Sequence, residues 1–186
     1  MIKIHFGGSR TLHQNQFSKV AQVVQASMAA GAAVHVGCAA GADSAVIQAA
    51  LSDPAKLFVF AQFSESGKGS FSGSAVQQVL KAQAADAQVT FLAGGPLSVP
   101  FRGRLMRRSI AALAGCSFAV FFLAHPYSAG SLAVAAAAAT KNIPVYVFPQ
   151  GFSGQPVPLR SLPGAWRPST FAGFPCLEWF AGKSFF

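Results

Sequence analysis

Apolar residues follow two spacings along this chain. Short β-prone runs fall at 2–6, 34–36, 57–60, 89–92, 118–123 and 145–148. Between them the apolar positions recur at helical intervals, as in Phe17, Val20, Ala21, Val24 and Met28, a pattern that Gly31 ends. Helices are predicted at about 12–30, 43–51, 75–85, up to about 114, and 131–141. Asp53-Pro54 closes the second of them. The run 118–123 is apolar without alternation, as a parallel strand covered on both faces requires. Strand and helix alternate throughout, which predicts an α/β fold: a doubly wound, mostly parallel, Rossmann-like sheet whose ligands bind at the carboxyl ends of the strands.

Two stretches break the pattern. Residues 64–74, SESGKGSFSGS, are rich in Gly and Ser and read as a surface loop. Residues 149–186 hold many Pro and Phe residues and both Trp residues, with little periodicity. They are expected to form an irregular extension of the 1–148 domain, with Trp166, Phe171, Phe174, Trp179 and Phe180 packed on the sheet or its helices. The competing reading is a peptide that docks a protein partner or a second copy of the chain.

Composition narrows the chemistry. The 186 residues are one domain's worth, and 14 Lys and Arg against 5 acids give a net charge of +9. That imbalance draws phosphate polymers and anionic nucleotides. The acids are Asp43, Asp53, Glu65, Asp86 and Glu178, so a mechanism needing two carboxylates has little to draw on. Three scattered cysteines indicate neither a disulfide framework nor a zinc site and suit a reducing cytosol. His5, His13, His35 and His125 lack metal-ligand spacing, so no metal or other cofactor is expected. No apolar run is long enough to span a bilayer, and no membrane partner is expected.

Three loops follow strands at matching places: GGSR at 7–10, GCAAGAD at 37–43 and HPYSAGS at 125–131. In a doubly wound sheet they share one edge. Gly8, Ser9, Arg10, Gly37, Cys38, Gly41, Asp43, Ser44, Ser128, Gly130 and Ser131 then surround one crevice rich in hydroxyl, N–H and guanidinium donors, which is chemistry for anions. The spacing Gly37-xxx-Gly41 matches neither GxGxxG nor GxxxxGK[ST], and Asp43 also suits a plain helix cap. Cys38 sits where a helix start lowers a thiol pKa, or is a small buried residue. His125 is either a phosphate donor or a solvated loop residue. Arg102, Arg104, Arg107 and Arg108 form the densest basic cluster, and Arg104 and Arg108 share a helix face at i,i+4. With no acid close by in sequence, they are expected to extend a track for nucleic-acid phosphates.

GSR after the first strand, GxxxGxD after the second, an Arg-bearing helix before an apolar strand and SxGS opening the next helix resemble the SLOG superfamily of Rossmann-like proteins, over about residues 2–148. The content is closest to its DNA-processing, DprA-like branch. The resemblance implies a pocket for a nucleotide or nucleic-acid phosphates lined by Ser9, Arg10, Gly41, Asp43, Gly130 and Ser131. The PGGxGTxxE loop of the phosphoribohydrolase branch is replaced by SAGSLAVA, with no acid on the following helix. MRRS at 106–109 keeps the arginine of the DprA-like branch's RNR but not its asparagine. The expected function is therefore non-catalytic binding of single-stranded nucleic acid or a nucleotide, with no catalytic residue assigned. The alternatives are a nucleotide N-glycosidic hydrolase using Asp43 or His125, and an interaction module docking through the aromatic extension.

Overall fold

A computed structural model describes residues 1–70 and 72–182; the expectations for residue 71 and for the end of the extension lie outside the described residues. Eight strands form one sheet: β1 (Lys3–Gly8), β2 (Ala33–Val36), β3 (Leu57–Phe60), β4 (Gln88–Thr90), β5 (Phe118–Leu123), β6 (Val145–Pro149), β7 (Gly164–Phe171) and β8 (Phe174–Ala181). Five helices connect the first six: α1 (Phe17–Ala29), α2 (Ala42–Ala50), α3 (Gly73–Ala84), α4 (Phe101–Ala112) and α5 (Ala129–Thr140). The strand order is β4-β3-β2-β1-β5-β6-β8-β7, and every pairing from β4 to β6 is parallel. The sheet is doubly wound and Rossmann-like, as its periodicity predicts.

Side chains of opposite parity on each strand build two cores. On β5, Val120 and Phe122 enter one cluster with Ile4, Phe6, Val20, Val46 and Val79, beneath α1, α2 and α3. Ala119, Phe121 and Leu123 enter the other with Leu113, Leu132 and Ala135, beneath α4 and α5. Both faces of β5 are thus covered, which is why its sequence carries no polar alternation.

The extension is not irregular. β7 and β8 form an antiparallel hairpin, and β8 pairs antiparallel with β6. Trp166 and Trp179 meet edge to face at 5.1 Å between ring centroids and join the α5-side core with Leu159. Phe171 and Cys176 join the other core. The aromatic side chains of a would-be docking peptide are thus largely consumed by the chain's own packing, although Phe180 remains 40% exposed. Pro168 and Pro175 sit where no neighbour requires their missing N–H: β7 is an edge strand, and the paired part of β6 reaches only Glu178 and Leu177 of β8. Between β6 and the hairpin, the chain crosses the site end of the sheet, where Gln150 N–H donates to Leu123 O (2.7 Å) and Val157 N–H to Pro126 O (3.1 Å).

Candidate functional site

The strand order reverses between β1 and β5, so the loops leaving these two strands diverge and open a crevice at their carboxyl ends. A cleft of about 480 Å³ lies there. It is lined by the turn 7–11 after β1, by His125 and 127–131 after β5, by Gly37, Ala39 and Asp43, and by one side of α4. The three predicted loops therefore do meet at one rim.

Ser9 joins them. Its N–H donates to Phe122 O (2.9 Å), and its carbonyl accepts from Ala42 N–H at the start of α2 (3.0 Å). Its hydroxyl accepts from Ala124 N–H (2.9 Å) and lies 2.7 Å from the Ser128 hydroxyl. Ser128 in turn donates to His125 O (2.8 Å). Each hydroxyl has one proton. With Ser128's proton on His125 O, the shared bond runs from Ser9 to Ser128, so both hydroxyls are committed to holding the loops together.

The free donors lie next to them. Ser128 precedes α5 without capping it by its side chain. The first N–H groups of that helix, at Ala129, Gly130 and Ser131, have no intrahelical acceptor, and the helix dipole adds partial positive charge. Arg10 and Arg102 are exposed, line the cleft and form no ion pair among the described residues. The one acid in the lining, Asp43, is only 6% exposed. Its Oδ2 accepts from Ala39 N–H (3.0 Å) and from Arg108 Nη1 (3.1 Å), an ion pair 65 residues apart in sequence. The pair crosses directly over the Gly37 Cα, where a Cβ would collide with the guanidinium and push the ion pair aside.

Three residues expected in the pocket point elsewhere. The Cys38 thiol donates to Gln62 Oε1 (2.7 Å), and burial pushes its pKa up rather than down. Ser44 bonds Gln78 Oε1 (2.6 Å) at the α2–α3 contact. Gly41, at φ 73°, packs against the Ser9 and Arg10 carbonyls, a conformation and a closeness that no larger residue would tolerate. The second loop is thus a scaffold for the first.

The arginine track also needs correction. Arg104 and Arg108 share a face of α4, as their spacing predicts, but that face is turned inward and leaves them 6% and 5% exposed. Arg104 donates to Gln62 O (2.8 Å) and Val99 O (3.1 Å), fixing two loops. Arg107 is exposed but lies outside the cleft lining, so only Arg102 of the exposed pair borders the site. Solvent-facing positive charge is sparser than the sequence cluster suggests, because two of its four members satisfy internal acceptors.

Two cleft residues lie outside the expected site set. His5, 3% exposed on β1, forms part of the floor, and Tyr127, 74% exposed, stands at the mouth. Burial first, then the charge of Arg108 and the neighbouring His35, lowers the His5 pKa to about 3. The strand parity that sends Ile4 and Phe6 to the opposite face was the available signal for His5. Among the described residues no group of three or more His, Cys, Asp or Glu could hold a metal, and no helix is long and apolar enough to cross a membrane.

No family model matches the sequence, and no curated protein matches it. Solved structures do. DNA processing protein A (DprA) from Streptococcus pneumoniae aligns with 81% of this chain at a TM-score of 0.62 and 19% identity, and the chain spans about half (51%) of that protein. DprA from Helicobacter pylori, described for its single-stranded DNA binding mode, aligns with 83% of the chain and 68% of its own length, at a TM-score of 0.64 and 17% identity. By its strand order, its crevice and these similarities, the chain has the Rossmann-like fold of the DprA structures.

Proposed function

We propose that the cleft binds phosphate groups of single-stranded nucleic acid, without catalysing a reaction on them. One observation carries the reading. The uncapped N-terminus of α5 and two exposed arginines without an ion pair among the described residues, Arg10 and Arg102, border the same crevice, whose only acid among those residues is neutralised by Arg108. Backbone N–H groups at a helix start and guanidinium forks are complementary to phosphate oxygens. The chain's net charge of +9 favours a polymer of phosphates over an isolated one. The fold shared with DprA, including the protein whose single-stranded DNA binding has been described, supports the same reading.

A nucleotide hydrolase is the weaker reading, because among the described residues the ion-paired Asp43 is the one carboxylate at the cleft. The test is titration of a labelled single-stranded oligonucleotide at several salt concentrations. Affinity is expected to fall linearly in log–log form, by about 0.7 in slope for each phosphate neutralised. An affinity indifferent to salt overturns the proposal.

A further inference from the structure

We propose that Trp166, on the edge strand β7 and outside the cleft lining, is a positioning residue for the loop 125–131: its indole N–H holds that loop in place through Val157. This rests on the phosphate reading above and adds what fixes the position of the α5 donors.

The loop is the first argument. It carries the start of α5, yet His125, Tyr127 and Ala129 are exposed, so the loop has little core of its own to rest on. Hydrogen bonds reach it from two sides. On the β1 side the Ser9 hydroxyl meets that of Ser128. On the other side Val157 N–H donates to Pro126 O (3.1 Å). Donors that recognise an anion must be held to within about 0.5 Å, so the N–H groups of Ala129, Gly130 and Ser131 depend on both ties.

The link is the second. Val157 lies between Pro156 and Pro158. Proline fixes its own φ and confines the residue before it to extended backbone. A segment this stiff moves as a unit, so whatever holds the Val157 carbonyl also holds its N–H. That carbonyl accepts from Trp166 Nε1 (3.1 Å), and the Trp166 carbonyl accepts from Gln155 Nε2 (3.2 Å). Trp166 therefore grips the segment at two points, one on each side of Pro156.

The residue type is the third. Where this chain buries an aromatic ring fully it uses Phe, as at Phe6, Phe63 and Phe122. Phe at position 166 would fill most of the same space but has no N–H to donate. Trp179 supplies the contrast. It meets Trp166 edge to face in the same core, and its own Nε1 is buried without a hydrogen-bond partner among the described residues. Of two indoles in contact, one donates to the segment that holds the site loop and the other does not.

The experiment measures binding of a short oligothymidylate by the wild type, Trp166→Phe and Trp179→Phe over a series of salt concentrations, with folding of each checked by circular dichroism. Trp166→Phe is expected to bind about fivefold more weakly with the salt slope unchanged, because the same phosphates meet displaced donors. Trp179→Phe, which thins the same core by the same atoms, should keep the wild-type affinity. Wild-type affinity in Trp166→Phe, or an equal loss in both variants, overturns the positioning role and leaves the phosphate reading standing. Salt-independent binding by the wild type removes both.

A second measurement needs no folded Trp166 variant. The wild-type ¹H–¹⁵N spectrum holds one indole N–H signal for each Trp, assigned with Trp179→Phe. Saturation with the oligothymidylate should shift the Trp166 signal and leave that of Trp179 near its free position, because coupling between two sites is reciprocal. A Trp166 signal that stays in place, or equal shifts of both, overturns the proposal.

Discussion

The hydroxyl of Ser9 lies 2.7 Å from that of Ser128, across 119 residues of sequence. It ties the turn after β1 to the turn after β5, and it does so at the point where the sheet reverses direction. Because Ser9 also accepts from the buried Ala124 N–H, the two ends of the bond are not equivalent.

Ser9→Ala is expected to cost about 1–3 kcal/mol, since it strands the Ala124 N–H without an acceptor. Ser128→Ala removes a partly exposed hydroxyl that water can replace, and should cost under about 1 kcal/mol. Urea denaturation of the two variants side by side measures the asymmetry. Equal losses would show that the bond between the hydroxyls, rather than the Ala124 contact, matters.

Asp43 and Arg108 form an ion pair with both side chains under a tenth exposed. Removing one partner leaves a buried charge uncompensated, at a cost of about 3–5 kcal/mol. Asp43→Leu and Arg108→Met should therefore each be strongly destabilised, and the double variant carrying both should recover much of the loss. Chemical denaturation of the single and double variants closes the cycle, and a double variant no more stable than the single ones contradicts the account.

The four arginines of α4 fall into two kinds, which mutation should separate. Arg104→Met removes the bonds to the Gln62 and Val99 carbonyls and is expected to lower stability by about 1–3 kcal/mol while leaving the salt slope of oligonucleotide binding unchanged. Arg10→Ala and Arg102→Ala should leave the denaturation midpoint within about 0.5 kcal/mol and reduce that slope by about 0.7 each. A shallower slope in Arg104→Met would restore it to the binding surface.

How much of this is legible in the sequence depends on range. β1 to β6 can be read because parallel strands covered on both faces are short apolar runs between helical periods, a purely local signal. The hairpin β7–β8 cannot, because Pro168 and Pro175 read as strand breakers unless it is known that their N–H sides have no neighbour. At the site, the meeting of the three loops follows from topology and is legible. The inward turn of Arg104 and Arg108 is not: their acceptors are two backbone carbonyls and an aspartate 65 residues away, none of which a charge pattern displays. His5 escapes notice for the same reason, since a lone histidine in a strand carries no motif and its place on the cleft floor exists only after β1 and α4 have packed.

Acid should destabilise the protein through its buried histidines. Burial lowers the pKa of His5 to about 3 and also lowers that of His35, whose Nδ1 lies 3.1 Å from Ala112 O on α4. In the unfolded chain both return to about 6.5. Above that value neither state is protonated and the histidines add no pH dependence. Below it the unfolded state binds protons that the folded state refuses, so stability falls as pH drops from about 6.5, by up to about 1.4 kcal/mol per pH unit for each histidine. For His5 the decline ends only near pH 3, where the folded state is protonated as well. Urea midpoints measured between pH 7 and pH 4 should therefore slope downward in the wild type and less steeply in His35→Phe. A flat profile between pH 6.5 and pH 5 would mean that the buried imidazoles take up protons in the folded state, and with that the neutral floor of the cleft would be lost.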